Sequence, residues 1–516
     1  MTEEKERPLK VSRRDFVKGA AVGAGLLSGA GALASCGTAA APTVPGIPAK
    51  WDKEADVVIV GGGGTGIVAA IEAAEAGASV LVLEKAAVVG GTTSLSGAVI
   101  QASNTEYQRA AGVEGDTPEK HYQYWMNAAE GQADPELVRV LADNAPGNIQ
   151  WLVDRGVEYA GVYPVDPIPT VPEELMVARI HIPGPPGSQP AAGAGEQYHI
   201  SILYPVAQDK GAEFMLETTV TALVRDPEKG VIGVRAESGG EEMYVKAKKG
   251  VILATSSFDH NEEMARAFSL QQFWAQQSGL VATVPTDTGD GIKMAMEIGA
   301  DLAGMGGTIG VPSPGIGGAA APGIWVNKYG QRFVNEAAHY AFACRAVFNQ
   351  VEHMGSAIFD EKVREQGGGA LGWSEDLSEE IASDVIKTAD TLSGLAQQVG
   401  INAAELEATV EKWNEDVAAG KDTLFGKVAG LQTIDGPYYA AQMYEWNLGS
   451  HGGVRINTSA QVLDVHGEVI PRLYAGGMVA GGLVGPYYPG SGTAVCTTVC
   501  YGRIAGEKAA AEAAWS

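Results

Sequence analysis

Apolar and polar positions change period several times along this chain. Val57 to Val60 is an unbroken apolar run, rich in β-branched residues and too short for a helix, which predicts a buried parallel strand. Ile67 to Ala76, small and mostly apolar with Gly77 behind it, predicts a helix, and Ser79 to Leu83 a second strand. Between His121 and Gly156, residues Leu137, Val140, Leu141, Ile149, Trp151 and Leu152 recur at amphipathic-helix spacing. Tyr159 to Gly195 is rich in proline and glycine and has little period, so a long surface excursion bordering a substrate entrance is expected. Glu213 to Val234 alternates around a turn at Asp226-Pro227 and predicts a hairpin, and Val251 to Thr255 predicts another buried strand. Thr288-Gly289-Asp290-Gly291 is expected to cap a helix running through Ile298. From about Asp301 the pattern changes: a glycine-rich stretch, Gly304 to Gly323, is followed by Ile324 to Asn327 and by helices such as Ala403 to Val417. The earlier pattern returns with Val462 to Val469, Leu473 to Gly477, a glycine-rich segment to Gly492 and a final helix from Thr493.

The first strand, helix and second strand carry a motif. Gly61, Gly63 and Gly66 form G-x-G-x-x-G between strand and helix, and Glu84 closes the second strand. The first glycine permits the tight turn, the second lets the backbone approach a pyrophosphate, and the third lets the helix lie close on the strand. The helix start offers free N–H groups to phosphates, and Glu84 can accept from a ribose hydroxyl. Strand, helix, second strand and acid stand in register, which makes this a dinucleotide-binding unit. No second unit of this kind occurs, so a nicotinamide site on this chain is not expected and electrons must come from or leave to something else. The predicted fold is α/β, a Rossmann-like binding domain with an inserted α+β cap. The expected divisions are a leader at 1–36, a tether at 37–53, the binding domain at 54–300 and 445–516, and the cap at 301–444.

Composition narrows the partners. The chain has 516 residues, 45% of them hydrophobic, enough for two domains and a large core. A net charge of −26 disfavours nucleic acid and anionic lipid as partners. Of the four cysteines, Cys496 and Cys500 stand four apart on the last helix without a histidine cluster, which reads as packing, so no metal ligands are assigned. No C-x-x-C-H is present to attach haem. Ser12-Arg13-Arg14-Asp15-Phe16-Val17-Lys18, followed by a weakly apolar run too short to span a membrane, resembles a twin-arginine (Tat) leader. Leu33-Ala34-Ser35-Cys36 resembles a lipoprotein box, so Cys36 is either a lipidated N-terminus, the one membrane contact expected, or is removed by ordinary cleavage. Either way the mature protein is expected outside the cytoplasm, in the periplasm or at the cell surface.

Gly90-Gly91-Thr92-Thr93-Ser94 puts bare backbone and hydroxyls after the second strand. With Arg332-Phe333-Val334-Asn335-Glu336, Leu473-Tyr474-Ala475-Gly476-Gly477 and Tyr501 to Gly506, this resembles the FAD flavoproteins that include fumarate reductases, succinate dehydrogenases and 3-ketosteroid dehydrogenases, from Glu54 to the end. The resemblance implies FAD as cofactor, an active site between the binding domain and cap, and the last helix pointing its N-terminus at the flavin. It also implies cofactor contacts at Gly61, Gly63, Gly64, Gly66, Glu84, Lys85, Gly91, Thr92, Thr93, Ser94, Val220, Ala254, Thr255, Asp290, Gly477, Met478, Gly492 and Ala494. Two departures stand out: Ser256-Ser257-Phe258 replaces Gly-Gly-Phe, and Met478 replaces a glutamate.

Fumarate reductases bind their dicarboxylate with arginines and a histidine; the matching positions here hold Tyr340, Tyr488 and Gly449, with His451 displaced by two. Burying a dianion without cations costs several kcal/mol or more, which disfavours a fumarate-like substrate. Glu336 to Tyr340 and Tyr488-Pro489-Gly490-Ser491-Gly492 instead resemble the 3-ketosteroid dehydrogenase site. The resemblance implies that Tyr488 and the Gly492 N–H polarise a ketone while Tyr340 exchanges a proton. Tyr487 is the alternative to Tyr488, a further tyrosine is open among Tyr122, Tyr124, Tyr159 and Tyr163, and His339 and His451 are minor candidates. Three readings follow: oxidation or reduction of a carbon–carbon bond beside a ketone in an apolar enone; reduction of an unsaturated acid, with anion binding from Arg179, Arg345 or Arg455; or a flavin electron carrier without turnover. The external electron partner is expected to be a membrane-linked or cytochrome donor or acceptor.

Overall fold

The computed structural model describes residues 46–188, 197–313, 323–365, 374 and 376–515. The leader lies outside these residues, as does most of the tether. The apolar run becomes β1 (Lys53–Val60), followed by α1 (Gly64–Glu75) and β2 (Val80–Leu83). β1 lies parallel to β2 on one side and to β9 (Glu241–Leu253) on the other. Adding β6 (Glu213–Met215), β15 (Gln461–Leu463) and β16 (Val469–Ala475) gives the strand order β15-β16-β9-β1-β2-β6. The hairpin β7 (Thr218–Asp226) and β8 (Gly230–Ser238) joins through β8 to β9. The last helix, α7 (Thr493–Ala511), packs on α1. Glycines permit this closeness: a Cβ at Gly506 would stand 2.4 Å from the Ala69 carbonyl oxygen.

A second sheet has the order β10 (Leu302–Ser313), β14 (Tyr438–Arg455), β12 (Gly355–Asp360), β11 (Ile324–Val326). β14 also pairs with β13 (Ile386–Ala389) and with β17 (Ala480–Gly481). The glycine-rich stretch is thus largely a strand, and its glycines make room: a Cβ at Gly307 would overlap the His451 ring and one at Gly310 would stand 2.7 Å from a Glu445 carboxylate oxygen. α6 (Ala403–Ala418) covers part of this sheet with Leu406, Val410 and Trp413.

Three expectations need correction. The apolar pattern from His121 to Gly156 makes two helices, α2 (Pro118–Ala128) and α3 (Pro135–Val153), because Asp134 caps a new start with Pro135 in the first turn. Tyr159 to Gly195 is not a surface excursion where it is described. β4 (Tyr159–Tyr163) and β5 (Ile180–Pro183) pair with β3 (Ile100–Gln101), and Arg179 is fully buried against Asp116 at 2.6 Å. That ion pair, between distant residues, pulls the segment inward. Finally α4 (Asp290–Glu297) starts from Gly289 in the left-handed region, with no side-chain cap.

Candidate active site

The crevice outside the carboxyl ends of β1, β2, β9 and β16 gathers most of the expected cofactor residues, as open parallel sheets do at such ends. Gly61 stands at φ +104, and a Cβ there would lie 2.4 Å from the Ala254 carbonyl oxygen; one at Gly66 would lie 2.0 Å from the Gly61 oxygen. α1 begins at Gly63 with no side-chain cap, so no side chain competes for its first N–H groups. Gly64 faces Thr93 and Thr498, and Gly477, at φ +69, faces the Thr65 hydroxyl. Glu84 is held by the N–H groups of Gly62 and Ala86, both at 2.7 Å, which leaves lone pairs for a ribose. The first residues of β7 hang from this turn, the Thr218 N–H donating to the Glu84 carbonyl at 2.9 Å, and Val220 follows, buried. Thr255 carries a buried hydroxyl without a hydrogen-bond partner. An uncapped helix start, the acid and this orphaned hydroxyl fit a dinucleotide cofactor.

The remaining expected contacts are partly engaged with one another. Lys85 bonds Asp290 at 2.6 Å and Thr288 at 2.9 Å. Gly91 to Ser94 lies in a short 3-10 turn, where Thr92 donates to Asp287 at 2.7 Å. Met478 is half-buried against the core in the turn after β16.

The phenols converge at the start of α7. Tyr340 opens α5 (Tyr340–Phe348), whose N-cap is His339, and its hydroxyl lies 3.4 Å from the Ser491 hydroxyl. The Tyr488 oxygen accepts from the Ala494 N–H at 2.7 Å, beside the Gly492 N-cap. Of the open candidates, Tyr124 and Tyr163 join this group. Tyr124 donates to the Pro489 carbonyl, and the Tyr163 hydroxyl faces Ser491. Gln101, which no local pattern singled out, fixes the same turn by donating to Pro489 and Ser491 at 3.0 and 3.2 Å. Burial raises the pKa of Tyr340 and of Tyr488 above the phenol range, so both keep their protons at neutral pH.

Other candidates lie elsewhere. Tyr487 packs on Phe342, Tyr122 lies under Arg139, and Tyr159 sits among Tyr107, His181 and His199. His339 is buried against Tyr340 with Nε2 unpartnered, and burial pushes its pKa down to about 3. His451 is buried beside Gly307, both nitrogens unpartnered, with its pKa pushed down to about 4. The three candidate arginines have partners: Arg179 binds Asp116, Arg345 donates to Gln271 at 3.3 Å, and Arg455 pairs with Asp301 at 3.3 Å. Among the described residues no group of histidine, cysteine and carboxylate side chains could hold a metal, and no helix is long and apolar enough to cross a membrane.

The dinucleotide crevice stands beside the cluster of buried phenols, an arrangement that fits a redox cofactor placed against its substrate. The family described as "FAD binding domain" matches residues 56–495, and the chain belongs to it, within the fumarate reductase and succinate dehydrogenase flavoproteins. It is 30% identical to the digoxin reductase of Eggerthella lenta over 98% of both chains. It is 31% identical to the cytochrome-type fumarate reductase of Shewanella frigidimarina, over 88% of this chain and 77% of that one. The crystal structure of 3-ketosteroid-Δ4-(5α)-dehydrogenase from Rhodococcus jostii RHA1, in complex with 4-androstene-3,17-dione, covers 90% of this chain and 98% of its own, with a TM-score of 0.77 and 30% identity. The protein is therefore an FAD-dependent oxidoreductase acting on carbon–carbon bonds.

Proposed function

We propose that this enzyme reduces a carbon–carbon double bond next to a ketone in a bulky, apolar, steroid-like substrate. The observation that carries this reading is the hydroxyl cluster of Tyr340, Tyr488, Tyr163 and Ser491, while Arg179 and Arg455 pair with aspartates and Arg345 donates to Gln271. Bound FAD supplies the hydride, and can take it back in the reverse direction. Tyr488 is suited to hold the ketone: its oxygen already accepts from Ala494, so its own hydrogen is left to donate, together with the Gly492 N–H. Tyr340 holds the proton for the carbon beside the one that exchanges hydride, with the Ser491 hydroxyl within reach to resupply it. His339, neutral in its buried setting, is not the proton store. The reductases among the relatives favour the reducing direction.

A reductase of an unsaturated acid is the rival, supported by the identity with fumarate and urocanate reductases. Anaerobic turnover with a reduced dye separates the two. Rates with a 3-ketosteroid enone and none with fumarate or urocanate are expected; rates confined to the acids would replace this reading with the rival. Export of the folded holoprotein is proposed from the Arg13-Arg14 segment alone, and cell fractionation tests it.

A further inference from the structure

Ser256 stands at φ +59, a conformation that residues with a Cβ seldom adopt, at a position where glycine was expected. Its side chain has a use: the hydroxyl donates to Asp287 Oδ2 at 2.9 Å. The same oxygen takes the Thr92 hydroxyl at 2.7 Å, and Thr92 Oγ1 accepts from the Val284 N–H at 3.1 Å. The Asp287 carbonyl accepts from the His260 N–H at 2.9 Å. Buried Asp287 thus joins the loop after β2, the loop after β9 and the loop before α4. The first two loops carry Thr92 and Thr255 of the cofactor crevice, and the third leads directly into Asp290, the first residue of α4.

We propose that Asp287 is the positioning residue of the FAD site, holding Thr92 and Ser256 on one carboxyl oxygen so that the three loops keep the spacing the cofactor needs. The inference rests on Thr92 lining the FAD crevice. Asp287 touches no substrate in this scheme; it acts through Thr92.

The same geometry gives FAD affinity a pH dependence. The charged and titratable groups facing Asp287 are buried Asp259, Lys85, which is paired with Asp290, and His260, whose imidazole bonds Thr283. Burial, and then Asp259, push the Asp287 carboxyl up to about 7 against the hydrogen bonds from Thr92 and Ser256. Asp287 therefore changes charge near neutrality, and with it the strength with which its oxygen accepts from Thr92 and Ser256, so FAD affinity should change over that range of pH.

FAD titrations of the full chain at several pH values test this, with the melting temperature of each variant recorded. Thr92→Ala should weaken FAD. Asp287→Ala should weaken it by about tenfold or more, and Asp287→Asn, whose amide oxygen still accepts, by less, with the pH response near neutrality gone. Ser256→Gly suits the left-handed backbone and should melt no lower than wild type, yet bind FAD more weakly. If Thr92→Ala weakens FAD while Ser256→Gly and Asp287→Asn match the wild type in affinity and pH profile, Asp287 is not the positioning residue. If Thr92→Ala changes nothing, the loop does not line the crevice and the proposal falls with it. Neither result bears on which substrate is reduced.

Discussion

A buried phenol holds its proton more firmly than a free one, and Tyr340 is such a phenol. It therefore stands protonated at neutral pH and has a proton to give in a reduction, though as a weaker acid than a free phenol, and to act as a base it would first have to be ionised against its burial. Tyr340→Phe should leave FAD bound and lower enone reduction by about 10²-fold or more. Flavin absorbance and turnover on one preparation check this, and unchanged turnover would remove Tyr340 from the reaction. The positions of Tyr340 and Tyr488 were legible from the sequence through their motifs. Their partners were not. Ser491 is 151 residues from Tyr340, and Gln101 lies still further from Pro489, so only folding brings them together. Tyr124 and Tyr163 could be named as candidates but not chosen, because nothing local separates them from Tyr122 and Tyr159.

At the scale of elements, sequence period worked where an element makes its own contacts. β1, α1 and β2 announce themselves by a run, a glycine turn and a second run. β3, β5 and β4 do not, since they span between two and five residues and are held by distant partners, Arg179 with Asp116. The Arg332-Phe333-Val334-Asn335-Glu336 motif pointed to the family, and the structure adds a physical task. Arg332 binds Glu336 at 2.9 and 2.8 Å and Asp422 at 2.9 Å, all buried, under the Trp413 ring of α6. Lys427 completes the group near Glu336. Removing the guanidinium strands buried carboxylates, so Arg332→Ala should cost about 3–5 kcal/mol at neutral pH in urea unfolding, if the variant accumulates. Burial alone would raise the Asp422 pKa; Arg332 and backbone N–H groups hold it down to about 2. That stabilisation is complete above the ordinary carboxylate range and is lost as pH falls through about 2. The gap between wild type and Arg332→Ala should therefore narrow in acid. A gap that stays constant from pH 7 to pH 2.5 would mean the ion pairs are not its source.

On the scale of the whole molecule, the nucleotide half was readable because glycines and short apolar runs are local signals. The second sheet was not, because its longest strand mixes polar and apolar residues and glycines without a clean alternation. That strand, β14, runs from Tyr438 to Arg455 without a break. Its first half pairs with β12 and β13, its second half with β10 and β17. Its register against β10 shifts between Ser450 and Asn447, beside Gly449 at φ +138. The two groups of strands therefore cannot swing apart as separate bodies while this ladder is intact. Any bending of this strand is easiest where its cross-strand register is already irregular, at Leu448 and Gly449 and again between His451 and Gly453, where Gly452 stands at φ +108. Amide hydrogen exchange should be faster there than along the half of the strand paired with β12 and β13. The hinge of this enzyme would then lie in the middle of a β-strand and not in a linker.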